Sequence, residues 1–381
     1  MIIKNVTTDE ELSDFLNAVK DKPEISVDLE FDKNFHRYGF NICLVQIYDG
    51  NACYLIDPLS KSLTVKNLFP LLEDPDICKI VFTFGEDLRL LHSLGCYPKN
   101  IHDLGIATSL LNYPQASLTN YLIDILDIES AASSQKSNWF IRPLTEKQQV
   151  YAAEDVYFLP DLKKKLDKEA EQKGITNWIE QENRQLDLED YSDTNNNSLY
   201  KEKDKNGFSE LEWHIYLDLL RFREKLAELH DKPPFQVFGK KIMDMLVKNP
   251  GSINSWNNTR GIFSGIKNKR TQNKLEEILS ESRKEAEKIG LSASKPAFKK
   301  PSKEEMAELR KEQNKINEAK QKFFDPVKEL IERDYGKETA TFLFSNRIIA
   351  DIVSGSSGEL LPYKKELLER YGDELGIKPD F

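Results

Sequence analysis

The stretch Ile25-Ser26-Val27-Asp28-Leu29-Glu30-Phe31 constrains this 381-residue chain more than any other. Ile25, Val27, Leu29 and Phe31 alternate with Ser26, Asp28 and Glu30, the period of a β-strand with one buried face. Asp28 and Glu30 then project from the same side of one strand, two residues apart. Like charges that close raise each other's pKa, so the pair is costly unless a cation lies between them. A solvated face on an edge strand carries the same pattern at little cost. What decides between the two is whether more carboxylates are aimed at the same place.

The chain supplies them. Asn41–Tyr48 and Ala52–Ile56 read as strands joined at Asp49-Gly50-Asn51, and Lys79–Phe84 as a further short strand ending at Gly85. Asp87 follows in the first turn of a helix, just beyond a strand's C-terminal end, where α/β sheets place ligands. An acidic residue there also favours the helix dipole, so Asp87 alone is uninformative. Thr145-Glu146-Lys147-Gln148 reads as a capping box, as does Thr8 with Glu11. On the helix that Thr145 opens, Tyr151 and Asp155 are four residues apart and share a face. Pro160 should kink or break that helical run.

If the strand and the two helices converge, Asp28, Glu30, Asp87 and Asp155 meet. No histidine cluster accompanies them, and an all-oxygen ligand set suits magnesium or manganese. Four negative charges exceed the need of one divalent ion and fit a pair of ions that also binds substrate phosphate. Tyr151 could orient an attacking water through its hydroxyl, and its ordinary pKa of about 10 makes it a positioner rather than a base.

The net charge of −10 argues at first against a nucleic-acid partner. Its distribution matters more: acidic side chains dominate residues 1–200, while basic ones dominate residues 201–300. No apolar run approaches a membrane span, and the polar start Met1-Ile2-Ile3-Lys4-Asn5 has no leader character. Cys43, Cys53, Cys78 and Cys96 are scattered in or beside apolar segments, which suits thiols in a reducing cytoplasm and no zinc site. Residues 187–207 and 291–303 are polar stretches of linker character. They divide the chain into 1–186, a helical segment 208–290 and a second helical segment 304–381.

Val27–Phe31, Gly85-Glu86-Asp87-Leu88 and Tyr151–Leu159 resemble the three exonuclease motifs of the DEDDy family, of which ribonuclease D is the nearest type. Ile56-Asp57-Pro58-Leu59 and Gln135-Lys136-Ser137-Asn138-Trp139, leading into Arg142-Pro143-Leu144-Thr145, extend the likeness over the first 180 residues. The resemblance implies an α/β ribonuclease H-like domain, a mixed sheet flanked by helices, that hydrolyses RNA from its 3′ end with two divalent cations, Mg2+ or Mn2+. It implies metal ligation by residues matching Asp28, Glu30, Asp87 and Asp155, and water positioning by the one matching Tyr151. Phe82 stands where the family commonly has histidine, and Asn138 where aspartate is usual.

Residues 208–290 resemble an HRDC domain through Leu219–Glu224 and Lys232-Pro233-Pro234-Phe235. Residues 304–381 resemble the second, more divergent HRDC-like unit, through Ser345–Ala350. Lys240, Lys241, Lys267, Lys269 and Arg270, with Trp256 and Phe263 among them, are the expected phosphate-tracking and stacking surface. The expectation is a cytoplasmic 3′–5′ exoribonuclease acting on the 3′ ends of tRNA precursors or other structured RNA, with no membrane partner. A DNA exonuclease on the same fold, or a nucleic-acid-binding protein that has lost activity, are the alternatives.

Overall fold

The computed structural model describes residues 1–128, 137–191, 199–294, 303–356 and 358–378. Gln135 and Lys136, residues 192–198 of the first expected linker, residues 295–302 of the second and Ser357 lie outside the described residues.

Strands β1 (Ile3–Val6), β2 (Glu24–Lys33), β3 (Phe40–Tyr48), β4 (Cys53–Ile56), β5 (Cys78–Val81) and β6 (Ile101–Asp103) form one sheet in the order β1-β4-β3-β2-β5-β6. The sheet is mixed: β3 runs antiparallel to β4, while β1 with β4, β2 with β5 and β5 with β6 are parallel. Its strands are rich in the branched and aromatic residues that pack well on a pleated surface. β2 lies between β3 and β5, and this position corrects the expectation of one buried face. Ser26, Glu30 and Asp32 are buried beside Ile25, Val27 and Leu29. A strand in the middle of a layered α/β sheet is covered on both sides whatever its alternation suggests.

Helices α1 (Asp9–Val19), α2 (Phe69–Glu73), α3 (Gly85–Ser93), α4 (Leu104–Leu110), α5 (Leu118–Leu126), α6 (Glu146–Tyr157), α7 (Leu159–Lys173) and α8 (Thr176–Leu188) belong with this sheet. Both expected capping boxes are present: Glu11 N–H donates to Thr8 Oγ1 at 3.2 Å and Gln148 N–H to Thr145 Oγ1 at 3.3 Å, each answered by the glutamate or glutamine side chain. Pro160 sits in the first turn of α7, where its missing N–H has no partner to lose, so the helical run divides at Phe158 as expected.

The remaining helices are α9 (Glu210–Leu229), α10 (Pro234–Val237), α11 (Lys240–Lys248), α12 (Lys269–Lys288), α13 (Lys303–Ala319), α14 (Asp325–Tyr335), α15 (Lys337–Leu343), α16 (Asn346–Ser354) and α17 (Pro362–Leu375). α9 to α12 close around Ile215, Leu219, Met243, Leu246, Trp256 and Leu275, a core of their own. The C-terminal helices do not. Phe324, Ile331, Leu343, Phe344 and Tyr371 share one core with Leu104, Leu110, Leu162, Leu166 and Ile179 from α4, α7 and α8. Polar contacts fix the same junction: Glu338 N–H donates to Asn112 Oδ1 at 2.9 Å, and Lys364 pairs with Glu182 at 2.8 Å.

The chain therefore forms two compact units rather than three. One comprises Met1–Glu30, Ile42–Ser192 and Pro301–Phe381, and the other Phe31–Asn41 with Asp193–Lys300. The start of the first expected linker is structural as well. Asp187, in the last turn of α8, accepts the N–H groups of Asn100 at 2.9 Å and Ile101 at 3.3 Å, which ties that helix to the start of β6.

Phe344, fully buried among both sets of helices, should be sensitive to truncation. Phe344→Ala is expected to cost about 3–5 kcal/mol and to lower the unfolding midpoint of the sheet domain together with that of the C-terminal helices. Denaturant melts followed by hydrogen exchange in both regions would measure this; a loss confined to the C-terminal helices would contradict a shared core.

Candidate active site

β2 delivers Asp28 and Glu30, and α6 delivers Asp155. α6 comes close to the sheet because its inner face is small: Ala152 packs on Cys43, Leu44 and Leu55, and Ala153 and Val156 pack on Cys53. As a result carboxylate oxygens of Asp28, Glu30 and Asp155 all lie within 4.8 Å of one another. Asp87, in the first turn of α3, is 8 % exposed, and its buried Oδ1 has no hydrogen-bond partner. It belongs to the same electrostatic cluster, since its charge pushes up the pKa of both Asp28 and Glu30.

Burial raises all four acids first; repulsion from the others adds to it at Asp28 and Glu30, and repulsion from neighbouring acids adds to it at Asp87 and Asp155. Asp28 is pushed well above the carboxylate range by burial, then by Asp155 and Asp87. Glu30 rises through burial, then through Asp28, Asp155 and Asp87. Asp87 and Asp155 are each pushed up to about 7, mainly by burial. The Tyr151 hydroxyl donates to Asp155 and partly opposes its shift. Tyr151 is itself raised far above its ordinary value by burial and then by Asp155, Glu30 and Asp28, so it stays protonated and remains a hydrogen-bond donor.

Two clasps hold these side chains in place. The first is Asp103, at the end of β6, which no sequence motif singled out. Its buried carboxylate accepts the N–H groups of Thr83 at 2.7 Å, Phe84 at 2.9 Å and Gly105 at 2.8 Å. It thereby shapes the turn between β5 and α3 that aims Asp87. Gly105 has to be small here, because a Cβ would lie 2.6 Å from Thr83 Cγ2. The available signal was an aspartate in N-cap position just before α4.

The second clasp is Arg142 with Asp57. Arg142 Nε and Nη2 donate to the two Asp57 oxygens at 2.6 and 2.8 Å, and the guanidinium also donates to the carbonyls of Cys43, Trp139 and Ile141. Trp139 is buried, with its ring centroid 6.2 Å from that of Tyr151. The loop leading into α6 is thus pinned to the end of β4. Phe82, where a histidine is usual, packs edge-on against Tyr121 at 5.7 Å, and Asn138 Oδ1 accepts the N–H of Phe140 at 3.1 Å.

The expected nucleic-acid surface lies in the other compact unit and needs correction. Lys240, Lys241, Lys269 and Arg270 are exposed and Lys267 half-exposed, but Lys240 pairs with Asp204 at 3.1 Å. Trp256 is 1 % exposed and donates its indole N–H to the Ile266 carbonyl, so it is core and offers no stacking face. Phe263 lies under the Lys232 ammonium, 5.0 Å from its ring centre. A second cluster of possible ligands, His214, Asp218 and Glu285, reads as an ion-pair network, since Asp218 is already engaged by Arg221 and Ser282.

Residues 3–171 match a family model described as 3′–5′ exonuclease. Ribonuclease D of Musicola paradisiaca is 33 % identical over 184 residues, 48 % of each chain. Ribonuclease D of Escherichia coli is 32 % identical over 176 residues, 46 % of each. These alignments span about half the length of the curated relatives. Among solved structures, Escherichia coli RNase D aligns over 98 % of this chain and 99 % of its own, with a TM-score of 0.70 and 22 % identity. The catalytic core of RRP6 from Trypanosoma brucei aligns over 74 % and 80 %, with a TM-score of 0.64 and 23 % identity. The fold is therefore the expected one, a mixed sheet flanked by helices with a helical C-terminal region.

The raised pKa values have a consequence for stability without metal. Acids with folded pKa values above their unfolded values hold more protons when folded, so stability falls as pH rises from about 4 towards 8. EDTA-treated protein should melt at higher temperature near pH 5 than near pH 8, and Asp28→Asn should raise stability at pH 8. Flat melting temperatures across that range would contradict the buried cluster. Asp103→Ala, which strands three backbone N–H groups, should instead cost about 2–4 kcal/mol. It should also weaken the affinity for Mg2+ or Mn2+ measured by calorimetry.

Proposed function

We propose that this chain, whose residues 3–171 match a 3′–5′ exonuclease family model and resemble ribonuclease D, is a metal-dependent exoribonuclease that releases nucleoside monophosphates from RNA 3′ ends. The observation that carries the proposal is the convergence of Asp28, Glu30 and Asp155 within 4.8 Å, with Asp87 coupled to them and Tyr151 bonded to Asp155.

The donor set is all oxygen, strongly self-repelling and buried, and it includes the partnerless Asp87 Oδ1. It fits two hard divalent cations, Mg2+ or Mn2+, better than one, and Asp28, Glu30, Asp87 and Asp155 would hold them. Bound there, such ions would supply charge neutralisation at the scissile phosphate, a more acidic water and stabilisation of the leaving 3′ oxygen.

The chain's own residues do the rest. Asp155 accepts the Tyr151 hydroxyl, which fixes the tyrosine ring and leaves the phenolic oxygen's lone pairs to orient a water for in-line attack. Because the phenol stays protonated, it positions that water and takes no proton from it. Trp139, whose carbonyl accepts from Arg142, packs near the tyrosine ring with centroids 6.2 Å apart. Burial of the acids means that binding of cation and of proton compete, so activity should rise with pH through about 7.

Structured RNA precursors such as tRNA 3′ tails are the proposed substrates, since ribonuclease D is the shared type of the relatives. Escherichia coli RNase D is itself described as an exoribonuclease involved in structured RNA processing. A cytoplasmic setting fits the four free thiols, and among the described residues no helix is long and apolar enough to cross a membrane.

The test is hydrolysis of 3′-labelled single-stranded RNA, and of DNA of the same sequence, with Mg2+ or Mn2+ and with EDTA. Labelled mononucleotide should appear from RNA with metal and not with EDTA. Asp28→Ala and Asp155→Ala should each lower turnover by more than about 10³-fold with RNA affinity within about threefold of wild type. Tyr151→Phe should lower kcat by roughly 10–100-fold with little change in KM. Near-normal turnover in either aspartate variant would contradict the metal-site assignment.

A further inference from the structure

Among the described residues, Phe35 and Phe235 are the two exposed phenylalanines, 63 % and 57 % exposed; the other described phenylalanine rings are buried or half-buried. Both belong to the smaller compact unit. They are linked: Gln236, next to Phe235, donates its side-chain N–H to the Phe35 carbonyl at 3.3 Å.

Phe35 is not a floppy tip. Asp32, buried at the end of β2, accepts the N–H groups of Phe35 at 3.2 Å, His36 at 2.9 Å and Arg37 at 3.3 Å. His36 Nδ1 hydrogen-bonds the same carboxylate at 2.9 Å, and the His36 ring stands edge-on to Phe35 at 4.7 Å. The loop closes on itself through Asn34 N–H to the Gly39 carbonyl and Gly39 N–H to Asn34 Oδ1, each 2.8 Å. It is tied to the helical residues by Tyr38 N–H to Asp231 and by the Arg37–Asp231 ion pair at 3.6 Å. An ordered loop that spends this many hydrogen bonds on presenting an apolar ring to solvent is organised for a planar partner.

The cations next to the rings in sequence indicate which planar partner. Lys33 and Arg37 stand two residues either side of Phe35 and Lys232 three before Phe235; Lys33 lies over Phe40 at 4.8 Å, Lys232 over Phe263 at 5.0 Å, and Arg37 is half-exposed. Of the acids beside them, Asp32 is buried within the loop's own hydrogen bonds, Asp231 is paired with Arg37, and Glu224 accepts the Tyr38 hydroxyl. Exposed aromatics flanked by cations are the composition of a single-stranded nucleic-acid platform, with rings for the bases and cations for the backbone. The loop also follows Glu30 by only five residues on the strand that carries Asp28 and Glu30.

We propose that Phe35 and Phe235 form a stacking platform for unpaired bases of the RNA substrate, with Arg37, Lys33 and Lys232 facing its phosphates. This rests on the exonuclease reading and replaces the surface expected around Trp256. It assigns grip to the loop after the catalytic strand and to the start of α10, rather than to α11 and the start of α12.

The experiment uses the full chain in EDTA, so that binding is read without hydrolysis. The probe is a 5′-fluorescein 12-nucleotide oligoadenylate, followed by anisotropy. Phe35→Ala and Phe235→Ala should each weaken binding roughly tenfold with unchanged melting temperature, and the double variant should weaken it further. Phe35→Trp should retain affinity, and its added fluorescence should be quenched by the oligonucleotide. An abasic oligomer of the same length should bind the wild type weakly and be indifferent to the substitutions. Unchanged affinity in the double variant would overturn the platform and leave these rings to a protein partner. The exonuclease reading is judged separately by the hydrolysis assay: a wild type that binds through these rings but never cuts would overturn that reading and leave the platform standing.

Discussion

Four carboxylates pressed into one buried place are the constraint on which the rest of the first unit depends. Burial and repulsion raise every one of them, so without cations the ionised acids oppose folding. The surrounding structure holds them there by rigid means. β2 is central and covered on both faces, α6 is drawn in on two alanines, and neither can relax outward without exposing the core. Strain of this kind is what a divalent-cation site needs, because the repulsion that opposes folding becomes affinity once cations are present.

Orientation is a separate matter from proximity, and it comes from residues that hold no ligand. Asp103 fixes two N–H groups of the β5–α3 turn, those of Thr83 and Phe84, and that of Gly105 in α4 on one carboxylate. Arg142, bonded to Asp57 and three carbonyls, does the same for the loop before α6. Both are charged groups used as hubs for backbone, which is why each positions a chain segment rather than a single side chain. The C-terminal helices add to the same rigidity by completing the core beneath α4, α7 and α8.

Much of the chemistry was legible because it is local. Asp28 and Glu30 two apart on a strand, and Tyr151 four before Asp155 on a helix, are spacings that periodicity alone puts on one face. The capping boxes at Thr8 and Thr145 and the break at Pro160 are likewise written in a few adjacent residues. Where reading the sequence failed, the deciding partner was distant. Trp256 looked like a stacking ring among lysines, yet Ile266 and Phe238 enclose it. β2 looked one-sided because alternation records polarity and says nothing of what lies over the polar face.

The sequence by itself determined the element types, the oxygen-only donor set and the order in which those donors occur along the chain. These follow from residue chemistry and from the short periods of helix and strand. Only the tertiary structure decided that the last helices fold onto the first domain and that residues 31–41 group with the helical unit. It also decided that Asp103 and Arg142 are the hubs of the site. Those outcomes depend on which apolar faces and which buried charges meet across long stretches of chain, and no local pattern encodes such a meeting.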